Sequence, residues 1–255
     1  MVTIRQAVEK SLNLPTARIM ACIGGQVASE RARAASCNDP TAGLDYIRAV
    51  TQDLGIYKDP IRVYPFVLGA QPTRLIDMVS AYATVANLGF RPTVHFLDEI
   101  ERDGKVLYKR PRFSLEQVKS IDRVAFYQLR RILEGTVARG TAVSIKDLTG
   151  YVAGKTGTSN RENDAWFIGF TNDLVVGVWV GYDSRDVRAS LGARSTGAQL
   201  ALPIATEVIR QSFELYKEKE PLVGLPSDLE NSVRDYAVDG GQPRGRGLID
   251  PLRLG

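Results

Sequence analysis

Histidine and cysteine are almost missing from this chain, with one of the first and two of the second in 255 residues. His95 alone excludes a histidine-built metal cluster, and a Ser-His-Asp triad has only His95 to act as its base. It sits in Thr93-Val94-His95-Phe96-Leu97, where a solvated strand histidine is the simpler reading. Cys22 and Cys37 are too few for a disulfide-rich scaffold or a zinc site. They read as two incidental thiols, with a single disulfide left open if the compartment oxidises. No run of five like charges occurs, and a net charge of +4 is spread too thinly to imply nucleic acid. Long apolar runs are absent as well. The longest charge-free stretch, between Asp77 and Arg91, is too short to span a bilayer. Met1 leads straight into a polar, amphipathic segment, which predicts no cleavable leader.

What is present is globular material, because 44% hydrophobic and 24% charged residues argue against a wholly disordered chain. Thr3-Ile4-Arg5-Gln6 fits a capping box opening a first helix, and Pro15 then disfavours helix at Leu14. A second apolar segment, 16–23, stops at Gly24-Gly25, and 26–42 reads as loop or weak helix. A helical period returns over 44–54. The strongest helix is expected over 74–88, capped by Thr73 and ended by Gly89. Segments 94–100 and 105–108 flank Asp103-Gly104, a hairpin signal. Another long helix covers 121–137, ahead of Gly140. Strands over 165–170 and 174–182 flank the turn Thr171-Asn172-Asp173, and a last helix covers 202–217. Grouped strands with helices on either side predict an α+β fold, an antiparallel sheet covered by helices. The lack of βαβ alternation argues against a Rossmann-type domain.

Gly150-Tyr151-Val152-Ala153-Gly154-Lys155-Thr156-Gly157-Thr158 is the segment richest in chemistry. As a phosphate loop it fails twice. Three residues separate its glycines where four are required, and a turn and a strand follow where a helix should start. Ala193-Arg194-Ser195-Thr196-Gly197 likewise lacks the first glycine of a nucleophile elbow. Trp166 and Trp179, at strand positions with apolar neighbours, read as core residues rather than stacking platforms.

Lys155-Thr156-Gly157 is instead similar to the third motif of the active-site serine penicillin-recognising enzymes. Its surroundings carry the likeness further: Thr158-Ser159-Asn160, Asp164-Ala165-Trp166-Phe167-Ile168-Gly169-Phe170 and Gly177-Val178-Trp179-Val180-Gly181-Tyr182-Asp183. So do Asp77-Met78-Val79-Ser80-Ala81-Tyr82-Ala83, Asp103-Gly104-Lys105-Val106-Leu107-Tyr108, Arg139-Gly140-Thr141-Ala142 and Thr196-Gly197. This colinear set resembles the transpeptidase domain of class A penicillin-binding proteins over roughly residues 1–20 and 44–215. The second motif, Ser-x-Asn, occurs as Ser11-Leu12-Asn13 and as Ser36-Cys37-Asn38. The flanks Thr3-Ile4-Arg5-Gln6-Ala7 and Leu14-Pro15-Thr16-Ala17-Arg18 look like the family's, and they assign the motif to Ser11 and Asn13.

The resemblance implies a β-lactamase-like α+β fold, N-terminally truncated, with 1–217 a partial transpeptidase domain and 218–255 a C-terminal tail. By the same likeness, Lys155 meets the terminal carboxylate of a D-Ala-D-Ala stem peptide or a β-lactam. Thr156 and Thr158 offer hydroxyls, Thr158 a backbone N–H to the oxyanion hole, and Gly157 an open strand face. Ser11 relays a proton between the lysine base and the leaving amine, and Asn13 holds the substrate amide. The implied chemistry is serine acyl transfer in peptidoglycan synthesis, with no metal or organic cofactor. Implied partners are peptidoglycan stem peptides and β-lactams, not nucleic acid. The parent family is anchored at the periplasmic face of the bacterial inner membrane, whereas this chain is expected to make no membrane contact itself. One departure matters. None of the fourteen serines has lysine three residues on, so the family's Ser-x-x-Lys nucleophile motif is absent. The chain is therefore expected to be inactive as it stands, or else a non-catalytic remnant that binds peptide or a partner. A second departure is 22–43, which looks longer than the family needs and lacks its helical pattern.

Overall fold

The computed structural model describes residues 2–28, 40–111, 115–183, 190–216 and 219–230, with backbone only for 24–28. Thr3 caps α1 (Ile4–Glu9) with the capping box its sequence encodes: the Thr3 hydroxyl accepts the Gln6 N–H, and the Gln6 side chain accepts the Thr3 N–H. Two bonds close the helix, Leu12 N–H to Ala7 O at 2.8 Å and Ser11 N–H to Val8 O at 3.1 Å. Ser11 stands at φ 55°, so this is a Schellman close with serine where glycine is usual.

α2 (Asn13–Ala28) follows at once, and here two expectations are corrected. Leu14 is helical, because Pro15 falls in the first turn, where its missing N–H has no helical partner to lose. Gly24-Gly25 does not stop the helix, and α3 (Pro40–Asp53) starts ahead of its periodic residues. Part of the supposed loop at 26–42, and of the supposedly non-helical 22–43, is therefore helix. The reason is tertiary: α2 and α3 pack on each other around Met20, Leu44 and Phe66, outweighing about 1 kcal/mol per helical glycine. Cys22 is buried and disulfide-bonded, which corrects the incidental-thiol reading. Pairing depends on spatial approach, which a count of two cannot disclose. Cys37 and the second Ser-x-Asn match lie outside the described residues.

α4 (Leu75–Ala86) is capped at Arg74, not Thr73. The Arg74 guanidinium forks onto Asp77 in the first turn at 2.6 and 2.7 Å, which places a carboxylate at the positive end of the helix. Gly89, at φ 91°, turns the chain beyond it. Next come β1 (Phe90–Pro92), β2 (Glu99–Arg102), β3 (Lys105–Lys109) and β4 (Leu115–Gln117), with β1 paired to β4 and β2 to β3. Asp103 and Gly104 both take positive φ, as a two-residue hairpin turn demands. The strand expected at 94–98 does not form, because every residue of β2 and β3 is exposed and no core face exists to prolong them. His95 lies in this irregular stretch, with its ring against Arg110 and 3.4 Å from Asp98.

α5 (Arg123–Arg139) begins at an Asp122 cap and ends at Gly140. The central sheet is β5 (Ala153–Thr158), β6 (Asp164–Phe170) and β7 (Val175–Gly181), antiparallel throughout and in the order β5-β6-β7. Ala153 pairs with Phe170, Lys155 with Ile168 and Gly157 with Trp166. The Thr171 hydroxyl accepts the N–H groups of Asp173 and Leu174, closing the β6–β7 turn. α6 (Ala201–Tyr216) buries Ala201, Leu202, Ala205 and Ile209 with Phe167 and Val176 on one face of the sheet. α4 covers the opposite face, where a Cβ on Gly177 would strike Val79. The fold is α+β, with an antiparallel sheet between helical layers. Residues 219–230 lie against this body: Leu222 N–H reaches Gly150 O at 2.7 Å, and Val223 N–H reaches Asn172 Oδ1 at 3.0 Å.

Candidate active site

Among the described residues β5 is an edge strand, with no strand neighbour on one side of its backbone. On that side the Gly154 carbonyl takes the hydroxyl of Thr136, and the Thr156 carbonyl takes the Lys155 ammonium at 2.8 Å. The same ammonium donates to Ser11 Oγ at 2.9 Å, across 144 positions of sequence. Ser11 and Lys155, assigned from two separate motifs, are thus brought into direct contact. Asn13 opens α2 two residues on and is exposed. Thr156 is buried and shares its hydroxyl with Thr141 at 2.6 Å, while Thr158 Oγ1 accepts the Gly197 N–H at 3.0 Å. Gly157 lies over Trp166, where a Cβ would sit 3.1 Å from the Trp166 Cβ. The phosphate-loop reading fails in space as well, because no helix starts at Thr156.

Serine at φ 55° is strained, since an L side chain there crowds the following carbonyl. Ser11→Gly is therefore expected to stabilise the chain by about 0.5–1 kcal/mol in urea unfolding, while Ser11→Ala gives no such gain. That contrast would show a hydroxyl retained at the expense of stability.

Burial pushes the Lys155 ammonium from 10.5 down to about 8, with no opposing counter-charge among the described residues. Between those two values the unfolded chain holds a proton that the folded chain has released, so stability rises with pH across the window. Urea unfolding should find a gain on the order of 2–3 kcal/mol between pH 8 and pH 10.5 from this group. Lys155→Met should flatten that slope. At neutral pH the group remains largely cationic, suited to an anionic ligand.

Several supporting residues carried no assignment in the sequence. Arg139-Gly140-Thr141 and Thr196-Gly197 stood out only as resemblance; the structure puts Thr141 on Thr156 and Gly197 on Thr158. Glu9, at 2% exposure, pairs with Arg139 at 2.5 Å, and no pattern distinguishes its carboxylate from a solvated one. Both tryptophans depart from the core reading: Trp166 is half-buried, and Trp179 is 36% exposed with its indole N–H donating to Asp164 at 2.7 Å. Its ring lies 6.2 Å from that of Trp166.

A helix-covered antiparallel sheet with Lys-Thr-Gly on its edge strand, and a Ser-x-Asn serine against the lysine, defines a penicillin-recognising fold. Residues 68–209, more than half of the chain, match the family described as penicillin binding protein transpeptidase domain. The chain belongs to that family. Among curated relatives it is 35% identical over 271 residues to penicillin-binding protein 1A of Rickettsia bellii (strain RML369-C), covering 98% of this chain and 30% of the relative. It is 31% identical over 222 residues to penicillin-binding protein 1A of Aquifex aeolicus (strain VF5), covering 86% of this chain and 27% of the relative. The chain thus spans about 30% of the length of such relatives. Solved structures agree in fold. Penicillin-binding protein 1A from Haemophilus influenzae gives a TM-score of 0.70 at 22% identity, covering 88% of this chain and 36% of that one. The penicillin-binding protein PonA1 from Mycobacterium tuberculosis gives 0.66 at 24%, covering 96% and 63%. PonA1 has also been solved in complex with penicillin V. No helix among the described residues is long and apolar enough to cross a membrane.

Proposed function

We propose that this chain supplies the Ser-x-Asn and Lys-Thr-Gly parts of a peptidoglycan D,D-transpeptidase site, one that also takes β-lactams. The observation that carries this reading is the 2.9 Å contact between Lys155 Nζ and Ser11 Oγ beside the open edge of β5. A cation shielded from water attracts a carboxylate more strongly than an exposed one. Lys155 thus takes the terminal carboxylate of a stem peptide, with Thr158 beside it and Asn13 holding the penultimate amide. Ser11, already bonded to Lys155, carries the proton to the leaving amine. The residues as they stand provide recognition and proton transfer but no acylated serine, because no serine here has its lysine three positions on. That sequence fact favours binding without turnover by this chain alone. Location at the periplasmic face of the inner membrane belongs to the same proposal.

The test is nuclear magnetic resonance with ¹³C-methylated lysines. Diacetyl-L-Lys-D-Ala-D-Ala is expected to move the Lys155 signal and raise its titration midpoint, while the L-Ala-L-Ala counterpart leaves it in place. Equal responses to both peptides, or none to either, would remove the stem peptide as the ligand.

A further inference from the structure

We propose that Glu9, buried, and Arg139, half-buried, form a clamp that positions Ser11 against Lys155. Both are positioning residues, since neither touches the substrate, and the inference rests on reading Ser11 and Lys155 as partners in the site proposed above.

Glu9 is the penultimate side chain before the turn that carries Ser11, and at 2% exposure it cannot be solvated. Arg139, one residue before the end cap of α5, donates Nη2–H to Glu9 Oε1 at 2.5 Å. Three further contacts converge on the same few atoms. The Thr141 N–H donates to Glu9 O at 3.1 Å, Lys10 Nζ donates to Arg139 O at 2.6 Å, and Thr141 shares its hydroxyl with Thr156. The end of α1 is therefore bonded to the end of α5, which is bonded in turn to the strand residue next to Lys155. Two glycines make the socket. A Cβ on Gly140 would lie 2.5 Å from Glu9 O and 2.6 Å from Thr136 Cα, and a Cβ on Gly135 would strike the Glu9 carboxylate.

The physical case turns on what else could hold Ser11. Its turn is strained at φ 55°, and neighbouring Leu12 and Leu14 are exposed, so hydrophobic burial does not pin it. An ion pair with its carboxylate buried and its guanidinium half-buried is a poor route to stability, because desolvation of the carboxylate offsets much of the attraction. It does hold geometry, since each group tolerates few other partners. Here it fixes the one segment whose position decides whether a hydroxyl meets the lysine.

The experiment follows the Lys155 amine in the full chain, by ¹³C-methylation with the signal assigned from its loss in Lys155→Arg. In the parent chain it is expected to titrate near 8, because burial disfavours the ammonium. Glu9→Ala and Arg139→Met are expected to release the turn, admit water and raise the midpoint toward 10.5. Ser11→Ala is expected to do the reverse: the amine stays covered but loses an acceptor for its charged form, so the midpoint falls below the parent value. A lowered melting temperature in Glu9→Ala with the midpoint unchanged would make the pair merely structural and overturn the inference. If Glu9→Ala does not fold, Glu9→Gln substitutes for it. That variant keeps the volume and removes the charge that holds Arg139, and an upward shift is again expected, its absence again overturning. A midpoint unmoved by Ser11→Ala would instead overturn the reading of the site itself, whatever the Glu9 variants do.

Discussion

Incubated with a fluorescent penicillin and run on a denaturing gel, this chain is expected to leave its 28.0 kDa band unlabelled. Covalent capture of a β-lactam needs a serine whose oxygen is deprotonated as it attacks, and the family places the base one helical turn after that serine. None of the fourteen serines here meets that pattern. Loss of members of a catalytic unit costs about 10⁶ in rate in a serine protease, far below what labelling detects. Ser11 is the residue to watch. It lies 2.9 Å from an amine whose pKa burial has lowered to about 8, the arrangement of a serine with a lysine base. A stoichiometric band that disappears in Ser11→Ala would sink the prediction and make Ser11 itself the nucleophile.

Gly197→Ala is expected to be severely destabilising for a single added methyl group. Gly197 lies on the backbone of β5 and β6, and its Cβ would run into the carbonyl oxygens of Trp166 and Gly157. Neither oxygen can step aside, because both belong to paired strands. Overpacking typically costs 1–3 kcal/mol and occasionally more, and clashes with fixed backbone put this case at about 3 kcal/mol or above. The substitution should also lift the Gly197 N–H off Thr158 Oγ1, loosening the strand that presents Lys155. Gly224→Ala is the matched control: its Cβ meets nothing within 4 Å, and a change within about 0.5 kcal/mol is expected. Urea unfolding of the two variants side by side decides it. Equal midpoints would mean that the 196–197 segment yields, and that β5 does not depend on it.

Local signals in the sequence marked the elements well wherever they and the packing agreed. The capping box at Thr3, the Asp103-Gly104 turn, the Gly140 end of α5 and the Thr171 turn are all written within a few residues. They failed where packing overrode them. Gly24-Gly25 stays within the last turns of α2 because α3 lies against that helix, and β1 with β4 is too short to leave a period of its own. The site was legible in the same partial way. Lys-Thr-Gly and Ser-x-Asn can be seen as words, and the flanks of Ser11 chose between two candidate matches.

The sequence by itself determined the α+β class and the absence of a serine with lysine at the third position, while likeness to the penicillin-binding family singled out Lys155 and chose Ser11 and Asn13. The first two are matters of residue type and spacing over a few positions, which chain chemistry alone decides. Only the tertiary structure decided that Ser11 reaches Lys155, that Glu9 is buried on Arg139, and that Thr141 and Gly197 support the two threonines. Each of those joins residues 15 to 144 positions apart. Whether a carboxylate or an ammonium is in water or out of it depends on what the rest of the chain lays over it. The lowered pKa of Lys155 comes from that burial, and no reading along the chain contains it.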